Sequence, residues 1–271
     1  MVDTLSVVTW NINSVRLRID QVLRFLAEQQ PDVLCLQETK CPNDLFPKGA
    51  FEKAGYRHQA IMGMKGYNGV AILSRRPLEP LSALEMCGRP DARHIAARVG
   101  EGAKAVTLHN FYVPAGGDIP DPEANPKFAH KLDFVRELRV FSEGARKTDP
   151  RAILVGDLNI APLEHDVWSH KKLLDIVSHT PVETKGLMDV IAAGEWGDAM
   201  RLLKPEPEKV YSWWSYRSPD WETRDLGRRL DHVWLGRDLT DGLKSGRIFR
   251  ETRGWERPSD HVPVRIDLEI D

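Results

Sequence analysis

The chain has 271 residues, 41% of them hydrophobic and 29% charged, with a formal net charge of −2. That length can bury a sizeable core in one or two domains, and the charge excludes a simple nucleic-acid coating protein, which carries a strong basic excess. It does not exclude an enzyme that meets phosphate through a local basic face.

The three cysteines, Cys35, Cys41 and Cys87, form no CxxC pair and are odd in number. A secreted disulfide framework and a zinc–thiolate site are therefore not expected. No stretch approaches the roughly 20 apolar residues of a membrane span, and Met1-Val2-Asp3-Thr4 lacks a basic, then apolar, leader. The expectation is a reduced, cytoplasmic protein without membrane contact.

In chain order, residues 5–12 read as a buried strand, and 15–29 as a helix with Ile19, Val22, Leu23 and Leu26 at helical spacing. Pro31 ends that helix, and Val33 to Leu36 is the next strand. Further strands are expected at Val70 to Leu73, Ile95 to Val99 and Val106 to Val113. A Gly- and Pro-containing loop leads into a helix from Pro126 to Arg146, with Phe128, Leu132, Val135 and Leu138 on one face. Ala152 to Val155 is a strand; 164–177 and 184–193 read as helices. Val210 to Tyr216 and Leu230 to Leu235 read as strands, and Val262 to Ile270 alternates strictly as a half-buried terminal strand. There is no linker, low-complexity tract or short repeat, so residues 1–271 read as one domain. Strands outnumber helices, and two sheets packed face to face with helices outside would cover every apolar face.

Four short polar words stand at the ends of apolar runs: Trp10-Asn11-Ile12-Asn13, Leu36-Gln37-Glu38-Thr39, Gly156-Asp157-Leu158-Asn159 and Ser259-Asp260-His261. Carboxylates, carboxamides and a histidine gathered at one sheet edge can hold a hard cation and activate water. Glu38 alone reads more readily as a cap or ion-pair partner than as a metal ligand. In an extended segment Asp157 and Asn159 would point the same way, although an Asp/Asn turn is the competing reading. Asp231 is positioned to fix the tautomer of a histidine such as His261, but sequence does not show that they meet. An oxygen-rich set suits Mg²⁺ or Mn²⁺ better than Zn²⁺. In Tyr211-Ser212-Trp213-Trp214-Ser215-Tyr216 at least one tryptophan is expected in the core. Arg217, Arg224, Arg228 and Arg229 nearby suggest a stacking surface ringed by phosphate-binding charge.

Together these words resemble the exonuclease III family of apurinic/apyrimidinic endonucleases, over essentially the whole chain. WNIN, LQETK at 36–40, YVP at 112–114, GDLNIAP at 156–162, YSWWSYR at 211–217, RLDH at 229–232 and SDH at 259–261 occur in that family's order. The resemblance implies a four-layer α/β/β/α sandwich of two mixed sheets with the site at one end. It implies a Mg²⁺-dependent phosphodiesterase, with Mn²⁺ as substitute, acting as a monomer on duplex DNA at abasic sites or 3′ ends. Asn11, Glu38 and Asp260 are the implied metal-site residues, with Asp157, Asn159 and His261 around them. Asp157 would orient or deprotonate the attacking water, and Asn159 would hold that nucleophile or the phosphate. Asp231 would orient His261, which binds the scissile phosphate, and Tyr112 would contact phosphate or assist the leaving group. Trp213, Arg228 and Leu230 fall where the family lines its pocket for a flipped nucleotide. Ala115, Asn13 and Arg228 depart from the family pattern: an amide at the first, an aspartate at the second and a larger apolar residue at the third are common. The wider superfamily leaves open a phosphatase of small or lipid phosphoesters, and a non-enzymatic nucleic-acid-binding module is the remaining alternative.

Overall fold

The computed structural model describes residues 3–218 and 220–270. Its first half contains β1 (Thr4–Asn11), α1 (Ile19–Gln29), β2 (Val33–Gln37), α2 (Lys48–Lys53), β3 (His58–Met62), β4 (Val70–Ser74), β5 (Leu78–Leu81), β6 (His94–Val99) and β7 (Val106–Tyr112). Next come α3 (Pro126–Thr148), β8 (Ala152–Asp157), α4 (His170–Leu173), α5 (Pro181–Gly194), β9 (Gly197–Asp198) and α6 (Ala199–Leu203). The chain closes with α7 (Trp221–Arg224), β10 (Asp231–Leu235), β11 (Leu243–Ile248) and β12 (Val264–Glu269).

The strands form two six-stranded mixed sheets, ordered β11-β12-β1-β2-β4-β3 and β5-β6-β7-β8-β10-β9. The two orders are the same pattern. In each, one parallel pair, β1–β2 or β7–β8, is flanked by antiparallel strands and joined by a crossover through α1 or α3. Central strands are apolar on both faces, as strands covered on both sides must be. Leu5 and Val7 of β1 meet Ile153 and Val155 of β8 in the core between the sheets. Val8 and Trp10 turn outward onto Val22, Phe25 and Leu26 of α1. Leu154 and Trp234 turn outward onto Phe134 and Leu138 of α3 and Leu187 and Val190 of α5. The result is the expected helix–sheet–sheet–helix stack, and among the described residues no helix is long and apolar enough to cross a membrane.

The long helices carry their own start signals. Asn125 caps α3 by accepting from the Lys127 N–H at 3.1 Å, with Pro126 at the first helical position. Thr180 and Glu183 form a capping box on α5, again with proline first. At the end of β8, Gly156 has φ +143°, and a Cβ there would collide with the Phe111 carbonyl. Only glycine lets β8 lie against β7 immediately before Asp157.

Three expectations are corrected. Residues 164–177 are not one helix: a single 3₁₀ turn at Glu164–Asp166 precedes the one-turn α4. The Trp168 N–H goes to the Gly227 carbonyl at 3.1 Å and the Asp166 carbonyl accepts from the Arg229 N–H at 2.8 Å, so tertiary bonds take backbone groups that a continuous helix would use. Residues 210–216 are not a strand, because the N–H groups of Ser212 and Trp213 both reach the Arg228 carbonyl at 3.0 Å. That doubling is a bulge, and only Trp213 pairs, as isolated bridges to Arg228 and His261. Asn159 is not extended either: its φ is +54°, and the turn reading is the observed one.

Candidate active site

The polar words converge at one end of the two sheets. Asn11 ends β1, Glu38 comes directly after β2, Tyr112 ends β7, Asp157 ends β8 and Asp231 begins β10. The segment before β12 brings in Asp260 and His261. By the shared sheet pattern Asn11 corresponds to Tyr112 and Glu38 to Asp157.

At the centre is a buried acid–imidazole–acid array. His261 Nδ1 donates to Asp231 Oδ2 at 2.8 Å, and its Nε2 lies 3.6 Å from Asp157 Oδ2. Burial disfavours the imidazolium, but Asp231 and Asp157 outweigh it and hold His261 up at about 10. Asp157 is fully buried, which pushes its carboxyl up to about 7 against the opposing pull of His261. Asn11 Nδ2 reaches Asp157 Oδ2 at 2.8 Å, and Asn159 Nδ2 reaches the same oxygen at 3.2 Å. The Asn159 N–H donates to Asp157 Oδ1 at 3.0 Å, so the turn itself brings both side chains to one point.

Glu38 experiences a different field. Its Oε1 accepts from Asn11 Nδ2 at 2.9 Å and from the Tyr112 hydroxyl at 2.8 Å, and Lys40 Nζ is 2.8 Å from Oε2. Burial works to raise this carboxyl, but Lys40 and Asn11 hold it below its usual value. Tyr112 is raised well above the ordinary phenol range, first by burial and then by Glu38, so it is a neutral donor. Asp260 is half-buried, which works to raise its carboxyl, yet His261, Trp213 and Asn13 keep it low. Trp213 Nε1 donates to its Oδ2 at 3.0 Å and Asn13 Nδ2 to its Oδ1 at 3.2 Å. Asn13 also accepts from Lys40 at 2.6 Å, so this departure from the family pattern ties the Glu38 side of the site to the Asp260 side.

Above these groups opens a cavity of about 1020 Å³ lined by Glu38, Asn159, Asp260 and His261 and walled by Trp213, Arg228 and Leu230. Ala115 lies on its rim. Trp213 is half-buried there, whereas Trp214 is 1% exposed and is the core tryptophan. Arg229, expected among the phosphate-binding charges, is instead locked between Asp166 and Asp198 at 1% exposure.

Two features favour a bound metal. Asp157, Asp231 and His261 offer ligand atoms within 4.8 Å of one another, close enough to hold an ion. Asp231 Oδ1 is buried without a hydrogen-bond partner. Around them stand the Glu38 and Asp260 carboxylates and the Asn11 and Asn159 amides, an oxygen-rich set of the kind hard divalent cations take. His261 fits less well as a ligand, because both ring nitrogens already face carboxylates and a protonated imidazole has no lone pair to give.

Sequence reasoning missed Lys131. It is 0% exposed, sits 2.5 Å from Glu183 Oε1, and donates to the Asn159 carbonyl at 2.8 Å and the Ala115 carbonyl at 3.2 Å. Its signal was a charge placed three residues from both Phe128 and Phe134, on the apolar face of α3. Lys40, inside a quoted word but assigned no role, and Arg93, whose guanidinium lies 4.8 Å from the Tyr112 ring centre, were also missed.

Residues 8–261 match the model of the endonuclease/exonuclease/phosphatase family. The chain is 29% identical to the exodeoxyribonuclease III of Haemophilus influenzae, over 97% of this chain and 99% of that protein. Among solved structures it is similar to the 3′ phosphatase of Neisseria bound to a product DNA hairpin, at 34% identity and TM-score 0.88, covering 97% and 99% of the two chains. It is also similar to an AP endonuclease from Archaeoglobus fulgidus, at 32% identity and TM-score 0.89, covering 98% of this chain and all of that one.

Proposed function

The chain belongs to the endonuclease/exonuclease/phosphatase family, and we propose that it is a DNA repair phosphodiester hydrolase that cuts duplex DNA 5′ to abasic sites and also trims and cleans 3′ ends. The similar proteins named as exodeoxyribonuclease, 3′ phosphatase and AP endonuclease support the DNA substrate. In this reading residues 1–271 work as a single catalytic domain and as a monomer, in the cytoplasm.

The observation that carries it is Asp157, a buried carboxylate raised to about 7 with amides on one side and an imidazolium on the other. A base works best with a pKa near the working pH. Asp157 takes the proton of the attacking water, held in line by the Asn159 amide. His261, oriented by Asp231, donates from Nε2 to a non-bridging phosphoryl oxygen and stabilises the charge that develops there. Tyr112, neutral and buried, donates toward the departing oxygen. Glu38 and Asp260, with Asn11, would hold Mg²⁺, or Mn²⁺ in its place. When bound, such an ion supplies Lewis-acid polarisation of the phosphoryl group. A missing base lowers the cost of extruding the nucleotide into the cavity beside Trp213 and Leu230, which selects damage without reading sequence.

The test is incubation with a labelled duplex carrying one stable abasic analogue, with Mg²⁺ and with chelator, beside an intact duplex. A single Mg²⁺-dependent nick 5′ to the lesion is the expected result. Digestion only from 3′ ends would narrow the activity to end trimming. Turnover of inositol phosphates or sphingomyelin, with both duplexes left whole, would overturn the DNA reading.

A further inference from the structure

Two adjacent arginines have opposite surroundings. Arg229 makes four bonds to carboxylates, two with Asp166 and two with Asp198, all between 2.7 and 2.9 Å. Arg228 has no ion pair among the described residues. Its Nη1 donates only to the Val177 carbonyl at 3.0 Å and the Ser178 hydroxyl at 2.7 Å. Its Nε is buried without a partner. The guanidinium carbon lies 5.2 Å from the centre of the Trp213 ring, so the head group is fixed by two neutral acceptors and an aromatic face.

This cation lines the reaction cavity. Arg228 and Trp213 exchange backbone bonds of 3.0 Å in both directions, and Trp213 bridges onward to His261. Arg228, Trp213 and His261 all line the same cavity, with Leu173, Ile176 and Leu230; the other cations on its lining, Lys172, Arg217 and Arg224, are exposed, whereas Arg228 is half-buried. Removing a cation from water without a counter-charge is costly, and an anion arriving there offsets that cost. A neutral sugar does not.

A phosphodiester has two non-bridging oxygens and continues into a sugar, whereas a terminal monoester ends in a further charged oxygen. With the phosphorus at His261, the group bonded on its far side would enter the cavity that Arg228 also lines. We propose that Arg228 is the specificity-determining residue of this pocket. It selects 3′ ends whose blocking group brings its own negative charge, the 3′-phosphate being the simplest, over a neutral base-less sugar inside a continuous strand. The proposal rests on the DNA-repair reading above. In the step selected, water oxygen bonds to phosphorus and the bond from phosphorus to the 3′ oxygen breaks. That oxygen leaves with a proton, and inorganic phosphate departs.

The experiment compares kcat/KM on three duplexes, one nicked with a 3′-phosphate, one recessed with a 3′-hydroxyl and one intact with an abasic analogue. It uses the unmodified chain, Arg228→Leu and Arg228→Lys, each checked for folding by circular dichroism. The unmodified chain should favour the 3′-phosphate over the abasic duplex. Arg228→Leu should lower that ratio about 10- to 100-fold, the range of hydrogen bonds to a charged group, and Arg228→Lys should restore part of it. If the leucine variant does not fold, Arg228→Gln carries the same comparison. An unchanged ratio with equal losses on all three duplexes would return Arg228 to a structural role and overturn the proposal, as would an unmodified chain that prefers the abasic duplex. No cleavage of any duplex by the unmodified chain would instead overturn the DNA reading beneath it.

Discussion

The β1–α1–β2 and β7–α3–β8 units occupy matching places in their sheets and run their parallel strands into the same site. Each delivers a carboxylate just past the second strand or at its end, yet the two acids are held in opposite ways. Glu38 stands beside the Lys40 ammonium and is kept low despite burial. Asp157 lies under the cavity with no lysine or arginine paired to it among the described residues, and burial lifts it to about 7. Two acids whose environments push their pKa values apart are fitted to different tasks. In the function proposed above, Glu38 would hold a cation and Asp157 would move a proton.

The sharpest way to break this division is Asp157→Asn, which keeps the shape and removes the base. It should lower duplex cleavage at least ~10²–10⁴-fold, measured as kcat/KM on folded protein, and near-normal turnover would remove Asp157 from the proton's path. Next is His261→Gln, expected to cost ~10²–10³-fold as a lost donor to developing charge. Its pH profile is more telling. Asp157 accepts a proton only when ionised, so kcat/KM of the unmodified chain should rise as pH climbs through about 7 and fall again as His261 loses its proton at about 10. Since the His261 charge lowers Asp157, its removal should move that break to higher pH; a break that stays put would uncouple the pair.

On the other side of the division, Glu38→Gln should raise the Mg²⁺ concentration needed for half-maximal cleavage about 10- to 100-fold, while the position of the pH break is little altered. A shift of the pH break with no change in Mg²⁺ requirement would reverse the two assignments. The smallest effect belongs to the cavity wall: Trp213→Ala should weaken binding to an abasic duplex about tenfold, more than binding to an intact one. Equal loss on both would make Trp213 a packing residue.

The parts of the fold legible in the sequence were its interior. Central strands such as β1, β2 and β8 must be apolar on two faces, and such runs stand out. The four strands that escaped notice, β3, β5, β9 and β11, are the four sheet edges. An edge strand pairs on one side only and tolerates Pro80 in β5 or Gly246 in β11, so its pattern resembles a loop. Likewise Tyr211 to Tyr216 alternates because of what its rings touch, Trp214 inward and Trp213 toward the cavity, and not because it belongs to a sheet.

The site divides in the same manner. Sequence alone determined which residues are chemically able to act and that they stand where strands end, because a polar side chain interrupting an apolar run is a local feature. Tertiary structure alone decided who meets whom. Asn11 touches Asp157 across 146 positions and Asp231 touches His261 across 30, and those contacts, with burial, act on the charges of Asp157 and His261. It also separated Arg229, neutralised by two aspartates, from Arg228, left facing the cavity, and it put Lys131 under Asn159. The charge states of Asp157 and His261 depend on solvent exclusion and on partners remote in the chain, and neither is a property of a local word.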